Sequence, residues 1–119
     1  MTDKELLTLA AKAAGFHDAT WAAKQACIET SKFPGFRCFW NPLTDDDDAL
    51  RLAVRLHIDL RINNGVATAI WIDEELSETY SIDVLCDESF EGWAAKEAAT
   101  RRAIVRAAAE IGKNMGDQS

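Results

Sequence analysis

The apolar positions of this chain change period along its length. Leu6, Leu9, Ala10 and Ala13 recur at i, i+3, i+4 and i+7 behind Thr2-x-x-Glu5, a spacing in which threonine and glutamate cap the free amides of a first turn, and Gly15 follows as a stop. The pattern predicts a helix over about residues 3–14. A second start stands at Thr44 and Asp45, ahead of Ala49, Leu52, Ala53 and Leu56, with Leu50 and Val54 widening the apolar stripe. Asp47, Arg51 and Arg55, spaced by four, mark the wet side of this helix, which is expected over 45–56.

From His57 the period falls to two. Ile58, Leu60 and Ile62 alternate with Asp59, Arg61 and Asn63; Asn64-Gly65 interrupts, and an apolar run from Val66 to Ile72 follows. This is the pattern of a β-hairpin, 57–63 with 66–72. A two-residue turn places Trp71 on the face of Ile58 and a three-residue loop places Ile70 there; the Asn-Gly pair favours the former. Tyr80, Ile82, Val84 and Cys86 then alternate with Thr79, Ser81 and Asp83, predicting a strand over 79–86. Ile104, Ala107, Ala108 and Ile111 return to helical spacing, predicting a last helix over 95–111 that ends at Gly112, with Arg102, Arg106 and Glu110 on its wet side. Phe36 to Trp40 reads as a strand after Pro34-Gly35, whereas the alanine-rich Trp21 to Cys27 is compatible with helix without requiring it.

These elements imply an α+β domain in which helices pack on a mainly antiparallel sheet in an α/β/α layered sandwich. The expected core comprises Leu52, Val54, Leu60, Ile62, Ile82, Val84 and Ile104. A length of 119 residues suits one domain, 1–119, and 48 % hydrophobic residues suffice for one core. There are no internal repeats and no low-complexity tracts.

Two stretches, WNPLTDDDDALRLAV from Trp40 to Val54 and ATRRAIVRAAAEIG from Ala99 to Gly112, together with the opening helix, resemble the phage ABA sandwich domain of small phage and prophage proteins. Asp47 stands where that family usually has a glycine. The resemblance implies a phage or prophage origin and an α/β/α layered fold, and it carries over no activity and no functional residues.

Charge sharpens the picture more than composition does. The net charge of −7 comes from one interval: between Arg61 and Lys96 there is no basic residue, and eight acids, Asp73, Glu74, Glu75, Glu78, Asp83, Asp87, Glu88 and Glu91, lie there. Such a field repels a phosphate backbone, so direct nucleic-acid binding through this region is not expected. No apolar run is long enough to span a bilayer, and the charged opening, Met1 to Glu5, does not read as a signal peptide. Three cysteines, Cys27, Cys38 and Cys86, form no disulfide pattern, which points to a reducing compartment, the cytoplasm.

Candidate chemistry is sparse. Asp45 to Asp48 lacks the spacing and glycine of a calcium loop and reads as a cap on the positive end of a helix. His17, His57 and the cysteines show no zinc spacing, and the six glycines, scattered singly, form no phosphate loop. Cys86 falls on an apolar strand face, and Cys27 or Cys38 could act as a nucleophile only with a histidine beside it. No catalytic residue, metal or cofactor is expected, and the chain does not read as an enzyme.

The strongest candidate surface interleaves carboxylates with interface-prone aromatic side chains: Trp71, Asp73, Glu74, Glu75, Glu78, Tyr80, Asp87, Glu88, Phe90 and Glu91. It suggests an accessory protein that binds a host protein in the host cytoplasm, inhibiting a nucleic-acid-binding defence system in the manner of an anti-CRISPR, or a replication factor. The alternatives are a sponge that binds an anionic nucleotide signal with Trp93, Arg101, Arg102 and Arg106, and a structural or regulatory homodimer without ligand.

Overall fold

A computed structural model describes residues 1–33, 36–63, 65–71 and 84–115. Its elements run α1 (Asp3–Ala14), β1 (Thr20–Ala22), β2 (Cys27–Phe33), β3 (Phe36–Trp40), α2 (Asp46–Leu56), β4 (Asp59–Asn63), β5 (Val66–Trp71), β6 (Val84–Ser89) and α3 (Trp93–Asn114). The described residues form a mixed α+β fold in which antiparallel strands pack against three helices. The strands are shared between two sheets, β1-β2-β3 and β4-β5-β6. Trp21 to Cys27, open in the sequence, is neither helix nor strand throughout: β1 ends at Ala22, and a turn leads into β2 at Cys27.

Each early helix is delimited by the chemistry of its ends. The Thr2 side chain accepts from the Glu5 amide at 3.2 Å, and Asp45 Oδ2 accepts from the Asp48 amide at 3.2 Å. Both helices stop in the same way. At α1, the Gly15 amide donates to Lys12 and the Phe16 amide to Ala11; at α2, the His57 amide donates to Val54 and the Ile58 amide to Ala53. The residue after each helix is left-handed, Gly15 at φ 84° and His57 at φ 57°. His57 therefore closes α2 rather than opening the strand, and β4 starts at Asp59.

The β4–β5 pairing runs from Asp59↔Ile70 to Asn63↔Val66, so two residues connect the strands, as the Asn-Gly pair implies. β6 continues past Cys86 to Ser89 and pairs with β5 from Trp71↔Val84 to Val66↔Ser89. The part of the expected third strand from Thr79 to Asp83 lies outside the described residues.

Helix α3 is the hub: it packs against α1, α2, β5 and β6, while α1 in turn packs against β1 and β2. Ala103, Val105, Ala107, Ala108 and Ala109 have essentially no exposed surface, because neighbours meet the helix from several sides. Small side chains set the α1–α3 distance. At Gly112 a β-carbon would sit 2.9 Å from the Leu9 carbonyl carbon and closer still to its oxygen. Gly112 is thus a contact point rather than a stop, and α3 continues to Asn114.

The core is centred on Leu7, Ile28, Trp40, Leu52, Ile104 and Val105. Leu52 and Ile104 are buried as expected. Val54 and Ile62 are exposed and Leu60 is only half-buried, which overturns their assignment to the core; Ile82 and the side chain of Val84 lie outside what the structure describes. Val54 turns outward because α2 spends its inner face on Ala49, Leu52 and Ala53, and position 54 is one step round from that stripe. Leu50, one turn earlier on the same side, is exposed for the same reason.

Candidate functional site

The outward displacement of Leu50 creates one wall of a groove. Leu60 and Ile62 of β4 form its floor, pointing to the side of the sheet on which their cross-strand partners Ala69 and Ala67 are buried. α3 covers Ala67 and Ala69 completely but leaves the edge strand β4 partly bare. The first turn of α3 supplies the far wall through Trp93. The resulting cavity of 360 Å³ lies between α2, β4 and the start of α3 and reaches Ala49 and Ile104 at its base. Three large apolar side chains stand open in it, Trp93 at 85 %, Leu50 at 59 % and Ile62 at 46 % exposure, and Val54, at 66 %, follows Leu50 one turn on along α2. An exposed group of this kind on a folded domain marks a contact surface more often than isolated apolar residues do.

Trp93 follows Gly92, which gives α3 no side-chain cap, and the first turn of α3 contains no acid. Lys96, one turn on, lies over the indole at 5.1 Å from the ring centroid, a cation–π contact that steadies the ring at the surface. Arg101 closes the inner end. Its Nε donates to the Leu43 carbonyl at 2.9 Å and its guanidinium pairs with Asp46, so it ties the turn before α2 to α3. Among the charges lining the groove, Arg101 is paired with Asp46, while Lys96, over the indole, keeps its positive charge next to the exposed Glu97. The lining itself is therefore balanced in charge.

The sequence-derived acidic surface is divided by the fold. Asp73, Glu74, Glu75, Glu78 and Tyr80 lie outside the described residues. Trp71 ends β5 half-buried against the core. Asp87 is exposed on β6 and accepts from the Thr68 hydroxyl at 2.7 Å. Glu88 points the other way, to α3, where it meets Arg102 at 3.1 Å and Arg106 at 3.5 Å. Alternation along a strand sends adjacent acids to opposite faces, so Glu88 clamps β6 to α3 and is not presented with Asp87. Phe90 is half-buried, and its amide donates to the Gly65 carbonyl at 2.9 Å.

The alternative anion-binding set is also separated. Arg102 is held between Asp3 and Glu88, and Arg106 between Glu88 and the Asp87 carbonyl at 2.9 Å. Arg101 and Trp93 belong to the groove. Glu97 and Glu110, four residues from Arg101 and Arg106, are passed over for these longer-range partners.

Asp45 caps α2, Asp46 pairs with Arg101, and the buried Asp48 accepts from the Asn41 amide at 3.0 Å; the aspartate run thus anchors the β3–α2 turn. Cys27 and Cys86 are buried, and burial pushes both thiols up from their ordinary value, towards the protonated, unreactive form. Both histidines are exposed, and among the described residues no three His, Cys, Asp or Glu side chains converge. No helix among them is long and apolar enough to cross a membrane.

No protein-family model matches the chain, and no curated protein matches it closely enough to indicate kinship. The groove missed by sequence reasoning, in Leu50 and Ile62, did leave a signal: α2 has more apolar positions than one buried face can use.

Proposed function

We propose that this chain is a non-enzymatic interaction protein whose groove between α2, β4 and α3 receives an amphipathic, basic segment of a protein partner. The observation that carries the reading is the 85 % exposure of Trp93 beside Leu50 and Ile62, around a cavity with an apolar floor. Tryptophan in such a setting is the side chain that most often dominates binding energy. The basic character of the partner follows from the protein's net charge of −7, since the lining itself is balanced, with Arg101 paired to Asp46 and Lys96 next to Glu97. The resemblance of residues 40–54 and 99–112 to the phage ABA sandwich domain supports a host protein as the partner and a phage accessory role in the host cytoplasm.

A direct test titrates the protein with a synthetic amphipathic peptide of leucine and lysine, and with its leucine and glutamate counterpart, following tryptophan fluorescence. The basic peptide is expected to bind, the acidic one to fail, and Trp93→Ser to weaken binding at least about tenfold, a loss of some 1.4 kcal/mol. Equal binding of both peptides, or unchanged binding by the variant, contradicts the proposal. So does a Trp93-dependent dimer in sedimentation, which would make a second copy the occupant.

A further inference from the structure

A second cavity, of 160 Å³, lies on a different face of α2, where the end of α1 and Trp40 of β3 approach the helix. Its walls combine two kinds of chemistry. The interior is aromatic and aliphatic: Phe16 and Trp40 meet edge to face, with ring centroids 5.2 Å apart and planes at 87°, and Leu52 closes the side. The mouth is cationic, formed by Arg51 and Arg55, one turn apart on α2 and both exposed. The Arg55 guanidinium carbon lies 5.7 Å from the Phe16 centroid.

These two arginines differ from the three on α3. Arg101, Arg102 and Arg106 are all bound to carboxylates, whereas among the described residues neither Arg51 nor Arg55 has a carboxylate within salt-bridge distance. Side chains four apart on a helix stand side by side, so both guanidinium groups can reach one anion, and guanidinium pairs with a carboxylate through two parallel hydrogen bonds. The buried carboxylate of Asp48 lines the inner end and repels an anion that penetrates deeply. A ligand is thereby oriented, with its charge at the mouth and its apolar body inside. Size limits that body: a cavity of about 150 Å³ holds a benzene ring, and larger ligands occupy roughly 300 Å³ or more.

We propose that this cleft binds a single-ring aromatic carboxylate, with its ring between Phe16, Trp40 and Leu52 and its carboxylate on Arg51 and Arg55. The site is independent of the groove that holds Trp93, so either can fail without the other.

The test is an NMR titration of the whole protein with benzoate, and with benzyl alcohol as a neutral compound of similar size. It is applied to the parent, to Arg51→Gln, to Arg55→Gln and to the double variant. Benzoate is expected to move the Trp40 indole and Phe16 ring signals saturably, with Kd of order 1 mM for so small a ligand, and benzyl alcohol to bind at least about tenfold more weakly. The double variant should lose at least about tenfold in benzoate affinity with its melting temperature unchanged. The proposal is overturned if benzoate produces no saturable shift, if the two compounds bind alike, or if the folded double variant binds benzoate as the parent does. Should the double variant not fold, the comparison of the two compounds on the parent decides alone.

Discussion

Single positions in this protein are governed by local conformation as much as by side-chain type. His57 holds a left-handed φ of 57° at the end of α2 with its side chain exposed. That conformation costs a non-glycine residue about 1–2 kcal/mol, and glycine gives back about 0.4–1 kcal/mol through the greater freedom of the unfolded chain. His57→Gly is therefore expected to stabilise the protein by roughly 0.5–1 kcal/mol, read as a higher urea midpoint at unchanged m-value; a lower midpoint would show that the imidazole contributes more than its exposure suggests. The sequence hides this cap because histidine carries no stop signal, whereas Gly15, in the same role at α1, is plainly legible. The buried thiols give a second expectation at this scale. Burial raises the folded-state pKa of Cys27 and Cys86 above the unfolded value of 9.0, so between those values the folded protein binds more protons than the unfolded chain. Their contribution is complete below pH 9 and is lost as pH rises through the folded-state values. Denaturant titrations at pH values on either side of 9 should show the parent losing more stability than a Cys27→Ala, Cys86→Ala double variant, and equal losses would refute the assignment.

At the scale of elements, periodicity located the three helices and the β4–β5 hairpin, because each has a face whose burial is written into its spacing. It could not reveal which neighbour would cover that face. Val54 and Ile62 satisfy the pattern for α2 and β4, yet both are exposed: Val54 lies off the buried face of α2, and α3 covers β5 and β6 but reaches only part of β4. Hydrophobicity without cover is the origin of the groove. Gly112 shows the complementary limit: in sequence it ends a helix, whereas in the fold it lets α1 lie against α3. Two effects oppose each other in Gly112→Ala. Alanine raises helix propensity by about 1 kcal/mol, but its methyl group would overlap the backbone of Leu9, which cannot yield without separating the helices. Overpacking of this kind costs about 1–3 kcal/mol or more, so net destabilisation is expected, with a lower melting temperature and loosened α1 amides in hydrogen exchange. A variant at least as stable as the parent would show that the two helices can part freely.

For the molecule as a whole, sequence supplied the total charge and its uneven distribution, while the fold decided which charges are free. Glu88 and Asp46 are paired with arginines of α3, so neither offers an uncompensated charge although Asp46 stays exposed in the groove, and Arg102 and Arg106 are likewise unavailable to an anion. What remains is an apolar groove on a protein of net charge −7, and the two properties should act on different rates. Charge steers encounter over distance, whereas a buried aromatic anchor holds the complex once formed. Replacing Asp73, Glu74, Glu75 and Glu78 by Asn or Gln changes the net charge from −7 to −3. With a basic amphipathic peptide, this variant is expected to associate more slowly at low salt and to dissociate at the parent's rate. The difference should shrink as added salt shortens the screening length to about 8 Å at physiological ionic strength. Trp93→Ser should do the reverse, leaving association nearly intact and accelerating dissociation, because it removes contact area and no charge. Stopped-flow fluorescence separates the two rates, provided a reporter on the peptide replaces the lost indole. If neutralising the four acids leaves the association rate unchanged at low salt, their charge serves only to solvate the surface, and the preference for a basic partner must rest on the exposed acids beside the groove, Glu91 and Glu97.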